Sequence, residues 1–558
     1  MFHNGKITRS GAHASGPAAS GLNGSTNVYY VNASVDAVAS AVAIALHAGA
    51  DLTRSKQAPR SGHAARSGHS TSPQKRSRNP PHFWPAGPPP NIAVMGQRQG
   101  GPLRRGGMMT TATTRIKRAG AALCFVLTCL ALPCARANPI FARQTGLNCA
   151  SCHTIYPELT PFGRKFKLTG YTMGEREKIP LALMTVVSRN AISNDTDKST
   201  GAPLFAKNKE FVLDAISLFS GGKITDNAGA FVQWTYNNLT TTDNLTFTGH
   251  GALDNTDVRV VKKFGAEDKP TVIGLTLHNN PTVQDIYNTA PAWSFPYWAP
   301  SVAAPGRGTP TFLETGARVA GIGAYAYLFD SLYLEATSYQ TAKGFLSPLR
   351  AGTPDDQRVT LTGANPYWRI AYTIGDDHQN LTIGHFGAIA DVKDPTVDTP
   401  ADQFRDLGLD AQFQYLSPDD RHIISAQATY IDERTKWRTG FPNGSNDNPT
   451  SKLRSVRAKA TYLYQHTYGI TAGVFKVTGD ADFARFGSTT GTPDTTGYII
   501  ELNYWPKFKA PFDPQMNVRF GIQYTGYTKF MGSSENFDGT LRRARDNNTL
   551  FIYAWFMF

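Results

Sequence analysis

From Leu181 to the C-terminus the chain runs in segments of roughly ten residues whose side chains alternate between apolar and polar, broken by turn residues. A period of two belongs to strands, so this pattern confines the fold to one large sheet or several. In the clearest segment Leu407, Leu409, Ala411, Phe413 and Tyr415 point one way, and Gly408, Asp410, Gln412 and Gln414 the other. Val456, Ala458, Ala460, Tyr462 and Tyr464 likewise oppose Arg457, Lys459 and Thr461, and Val518, Phe520, Ile522 and Tyr524 oppose Asn517, Arg519, Gly521 and Gln523. A soluble antiparallel sheet also alternates, with one face buried and one wet, so alternation alone does not choose the solvent. No apolar run of about 18 residues follows Asn138, which excludes helical membrane spans there.

Connection lengths do choose. The pattern predicts strands at 181–192, 208–224, 228–240, 253–264, 269–279, 314–328, 331–343, 365–376, 379–391, 404–417, 421–435, 452–466, 468–478, 494–505, 514–530 and 547–558. Short links at Thr225-Asp226-Asn227, Ala266-Glu267-Asp268, Asp330-Ser331, Gly375-Asp376-Asp377 and Ser417-Pro418-Asp419 take turns with longer ones, the longest from 280 to 313. An even strand number with short turns on one side and long loops on the other is the pattern of bacterial outer-membrane barrels. The last segment ends on the aromatic Phe558, similar to the terminal signature that barrel-insertion machinery reads, and Trp234, Tyr236 and Tyr464 sit near strand ends as interfacial girdles require. The expected fold is all-β: an antiparallel transmembrane β-barrel of about 16 strands over 181–558. Both of its ends then lie on the periplasmic side.

Net charge looks like a nucleic-acid signal until it is located. The whole chain is at +14, yet residues 1–137 hold 16 Lys/Arg against 2 Asp/Glu, which leaves 40 of each sign afterwards. The folded part is electroneutral, so no nucleic-acid partner is expected. Residues 108–137 read as a secretory signal: Arg115, Lys117 and Arg118, then apolar Ala119 to Leu132, then Ala135-Arg136-Ala137 before a mature start at Asn138. Residues 1–107, rich in Gly, Pro, Ser and Ala, have little to build a core from and read as a disordered or mis-assigned leader.

Beyond the signal only two cysteines remain, in Cys149-Ala150-Ser151-Cys152-His153. In an exported protein CxxCH is a c-type haem attachment: two thiols form thioethers with the haem vinyls and the histidine supplies the proximal iron ligand. A zinc site would want four N/S ligands, and a thioredoxin-type pair belongs in a βαβ unit that this pattern lacks. Met173, twenty residues on, is the candidate distal ligand; Met184 competes but falls on the first expected strand. The short, mostly helical segment 138–180 is too small to bury a haem by itself, so it must lean on the barrel.

The stretch from Phe141 to Gly174, FARQTGLNCASCHTIYPELTPFGRKFKLTGYTMG, resembles the N-terminal haem segment of the fused monohaem cytochrome–porins of iron-oxidising bacteria. The FARQ run, Phe162-Gly163, Phe166 and Gly170-Tyr171 carry the likeness over about forty residues. It implies one covalent haem c, placement in the outer membrane and electron transfer across it. The expected route runs from an external donor such as Fe(II), oxidised at the cell surface, to a periplasmic cytochrome or cupredoxin. A forty-residue segment needing cover fits a sixteen-strand lumen as a plug. There the inward-facing Arg457, Lys459, Arg519 and Asp410 would bind haem propionates or plug surface. Acidic residues read as loop positions (Asp195, Asp197, Asp391, Asp394, Asp398, Asp402 and Asp406) would draw in a divalent cation, or simply be solvated. A solute porin with a haem-bearing plug, and electron export to an external acceptor, are the alternatives.

Overall fold

The alternating segments form sixteen long strands among the described residues. The structure, a computed structural model, describes residues 139–240, 248–265, 271–287, 298–353, 358–394, 399–507 and 517–558. The leader and signal readings, the turn at 266–268 and Asp398 lie outside the described residues. The strands are β1 (Leu181–Ile192), β2 (Phe211–Thr225), β3 (Ala228–Thr240), β4 (Thr248–Phe264), β5 (Thr271–His278), β6 (Ala320–Leu328), β7 (Leu332–Gln340), β8 (Asn365–Gly375), β9 (Gln379–Lys393), β10 (Asp402–Leu416), β11 (His422–Lys436), β12 (Thr450–Tyr464), β13 (Tyr468–Gly479), β14 (Thr495–Tyr504), β15 (Asn517–Lys529) and β16 (Thr549–Met557). A two-residue stub, Thr360–Leu361, pairs with the end of β9.

Every long strand pairs antiparallel with its chain neighbours, and β16 returns to β1 with Met184 opposite Met557 and Ile192 opposite Thr549. Closure removes the sheet edge that would otherwise template aggregation. Tight links do this cheaply: Phe329 and Asp330, and Gln465 and His466, are successive positive-φ pairs, the geometry of two-residue hairpin turns that match strand twist.

The two faces of the sheet are inverted relative to a water-soluble protein. Outward-facing Leu275, Ile374 and Leu409 are 61%, 57% and 57% exposed, whereas the inward-facing Arg259, Arg369, Lys459 and Gln414 are buried. An apolar outside around a largely polar inside is what lipid as the outer solvent selects. At the short-turn rim Tyr468, Tyr504 and Phe520 stack in a row, with centroids 5.4 and 6.4 Å apart. Among the described residues no helix is long and apolar enough to cross a membrane.

Two insertions fill the lumen. Residues 139–180 enter from the short-turn side and carry helices α1 (Ile140–Thr145), α2 (Cys149–Cys152) and α3 (Pro161–Leu168). They are pinned around the barrel. Arg164 donates to Asn380 on β9 (2.9 Å) and to Gln412 and Gln414 on β10. Glu158 pairs with Lys459 on β12, Tyr171 bonds Asp257 on β4, and Arg519 on β15 donates to the Tyr156 carbonyl. From the other end the connection between β5 and β6 folds inward, its α4 (Pro281–Gln284) fully buried. Lys167 of α3 donates to the carbonyls of Val283 and Asp285, so the two insertions meet.

Several sequence expectations shift here. β6 begins at Ala320 rather than 314, because Leu313–Thr315 forms a 3-10 turn inside the lumen. That turn is held by Glu433 and Asp406, which accept the amides of Phe312 and Leu313. Asp406 is therefore a buried strand residue and not a loop charge, and Asp391 and Asp402 also lie on strands. If the outward face lies in lipid, Leu409→Arg, midway along β10, will cost about 2–4 kcal/mol of folding stability in vesicles, read by denaturant unfolding. An unchanged midpoint would mean this face is wet.

Candidate cofactor site

Residues 139–174 are folded around their own aromatic residues. Phe141 stacks on Tyr171 at 5.5 Å and meets Phe166 edge-on at 5.0 Å. Gln144 donates to the carbonyls of Tyr171 and Met173 and accepts the amide of Lys223 on β2. Arg143 donates to the carbonyls of Ile179 and Leu181. FARQ thus clamps both ends of the segment to the start of the barrel.

The CxxCH motif sits on α2, capped by the Asn148 carboxamide oxygen, which accepts the Ser151 amide at 3.0 Å. The helix ends as the His153 amide donates to the Cys149 carbonyl. α3 holds it from behind: the Thr160 amide donates to Cys152 O (2.9 Å), and the Thr160 hydroxyl donates to Ser151 O (2.7 Å) and caps α3 by accepting the Gly163 amide. Gly163 permits this approach, since a β-carbon there would strike the Cys152 carbonyl.

His153 Nδ1 lies 3.2 Å from the Glu158 carbonyl, which can only accept. The hydrogen therefore sits on Nδ1 and leaves the Nε2 lone pair free to ligate, the second-shell arrangement that orients metal-binding histidines. Burial pulls the imidazole down to about 4, so it is neutral at ordinary pH, as a ligand must be. Both thiols are unpaired. Burial raises both, Cys152 to about 11, which is the reverse of the lowered pKa of a thiol–disulfide catalyst.

These three side chains open onto a cavity of about 240 Å³ inside the barrel. A single water needs roughly 10–15 Å³ by this kind of measure, so the space suits a large group. Its far wall is the β1/β16 seam, where alternation fails. Ala182, Met184 and Val186 on β1 face inward and are buried, as do Phe551, Tyr553, Trp555 and Met557 on β16, while Leu183 and Leu550 face outward. Tyr156 bridges motif to wall, 4.8 Å from the His153 ring and 5.0 Å from Trp555, and Trp298 of the inward loop packs on Trp555 at 5.5 Å. Two free thiols, a histidine oriented to ligate and apolar walls on several sides fit a covalent haem.

The other sequence candidates separate. Met173 is half-buried but not among the cavity-lining residues. Of the inward charges, Arg519 borders the cavity and binds Glu501 at 2.7 Å, Lys459 holds Glu158, Arg457 pairs with Glu314 and Asp410 with Arg369. Two of the four, Lys459 and Arg519, grip the plug. Sequence reading missed Met557, Trp555 and Trp298; the signal for the first two was the unbroken apolar run of β16.

No family model matches the chain, and no curated protein does. Among solved structures the barrel is similar to OmpT, an outer membrane protein of Vibrio cholerae (11% identity, 68% of this chain and 98% of that one, TM-score 0.38). It is also similar to an anion-selective porin of Comamonas acidovorans (11%, 68% and 98%, TM-score 0.36). The outer membrane channel DcaP of Acinetobacter baumannii aligns comparably (11%, 68% and 96%, TM-score 0.35). The assignment as a closed barrel rests on the strand pairing itself. If the motif carries a covalent haem, Gly163→Ala is expected to push α2 off α3 and cut haem incorporation severalfold, read by haem-stained gels; full incorporation would show that the α2–α3 contact is dispensable.

Proposed function

We propose that this chain is an outer-membrane electron conduit: a barrel whose lumen holds one c-type haem on Cys149, Cys152 and His153 and passes single electrons across the membrane. The observation that carries it is the motif's cavity. The thiols and His153 face a largely apolar, partly open space built jointly by plug and barrel, which a freely diffusing carrier has no need of. A covalently attached haem supplies a one-electron iron couple there. The chain's residues do the rest. Glu158 fixes the His153 tautomer through its carbonyl and anchors the plug through Lys459. Tyr156, Trp555 and Trp298 exclude water and extend ring contacts from His153 toward the inward-folded loop.

Orientation follows from turn lengths, short ones facing the periplasm in such barrels. The plug enters at that side, where Lys165 lies 3.6 and 3.5 Å from the turn carboxylates of Asp330 and Asp377. The likeness of residues 141–174 to cytochrome–porins supplies Fe(II) as the external donor and a periplasmic cytochrome or cupredoxin as the acceptor. A solute porin with a haem-bearing plug fits the same barrel and insertions equally well. The same wiring run outward remains the second reading, and the haem's reduction potential against donor and acceptor sets the direction.

Mixing the purified, detergent-solubilised protein with Fe(II) is expected to reduce the haem within seconds, followed by its absorption bands; no reduction removes iron from the proposal. Cys149→Ala with Cys152→Ala should abolish covalent haem. In liposome-swelling assays the full chain should admit sugars slowly and a chain lacking residues 138–178 several times faster. Equal, fast swelling of both would favour the solute porin.

A further inference from the structure

Resting on the haem reading above, we propose that the sixth iron ligand is a thioether of the Met184–Met557 pair. The two methionines lie directly opposite each other across the β1/β16 seam that closes the barrel. They are 2% and 7% exposed, face inward, and line the same cavity as Cys149, Cys152 and His153. The seam also touches the motif. Asn517, the partner of Met557 on β15, borders the same cavity as Cys149, and Trp555 packs on Tyr156, which packs on His153.

Among the competing donors in the cavity wall, Lys167 Nζ is held by the carbonyls of Val283 and Asp285. His466 is the remaining rival: it lines the same cavity, and its Nε2 lies 3.3 Å from the exposed Asp420 carboxylate with no hydrogen bond formed. The thioethers carry no charge to be captured, and sulfur is a soft donor on a flexible stem that suits haem iron. Met173, the sequence candidate, is outside the cavity wall and its backbone carbonyl is tied to Gln144.

The test uses the full chain, matured with haem and purified in detergent, with Met184→Leu, Met557→Leu, the double variant and Met173→Leu. Leucine keeps the volume and removes the sulfur. The readouts are the weak red-region band of thioether-ligated ferric haem, the upfield-shifted methionine methyl resonance of the ferrous state, and the reduction potential. Loss of band and methyl signal in either single variant or in the double one, with a fall in potential and an unchanged barrel mobility on unheated gels, supports the proposal. Retention of the band in the double variant, its loss in Met173→Leu, or its absence from the parent protein overturns it. A parent protein without covalent haem would instead sink the haem reading itself.

Discussion

A closed barrel of sixteen strands encloses more volume than its own side chains fill, and lipid outside forbids collapsing it. The molecule is organised by how that space is occupied. The plug enters from one end and the β5–β6 connection from the other, and they meet at Lys167. Neither piece is large enough to bury much by itself. Each becomes a core only because the barrel surrounds it.

Filling a polar lumen requires pairing charge with charge. Glu158 with Lys459, Glu314 with Arg457, Glu501 with Arg519 and Asp410 with Arg369 all join buried partners. Deleting one member of such a pair typically costs about 3–5 kcal/mol by stranding the other, so these bonds fix geometry more than they add net stability: Glu158–Lys459 that of the plug, Glu314–Arg457 that of the inward loop, and the other two that of the strands. The cavity is the exception to this economy of filled space. Its walls are aromatic and thioether side chains from the plug, the barrel strands and the inward loop, converging on the two thiols and His153.

Much of the barrel was legible in the sequence because strand periodicity and turn residues are local. The bounds expected for β1 and β3 coincide with those observed. The inward loop was not legible, because what holds it lies far away: the amides of Leu313 and Phe312 are fixed by Asp406 and Glu433, 93 and 121 residues further along. Asp406 reads as a solvated loop charge until the loop is placed on it. At the site, CxxCH and the aromatic positions around it could be read directly, since each has a local task. The wall could not, because Met184 and Met557 become neighbours only on closure. The lesson from β16 is that a barrel strand that is apolar on both faces has something to pack against inside.

The central claim is that the haem lies within the lumen, between plug and seam. An iron anomalous-scattering map from crystals of the haem-loaded protein tests it most directly. The account predicts a single iron peak inside the barrel, bonded to His153 Nε2 and beside the Met184–Met557 seam. A peak beyond the short turns, outside the ring of strands, would contradict it.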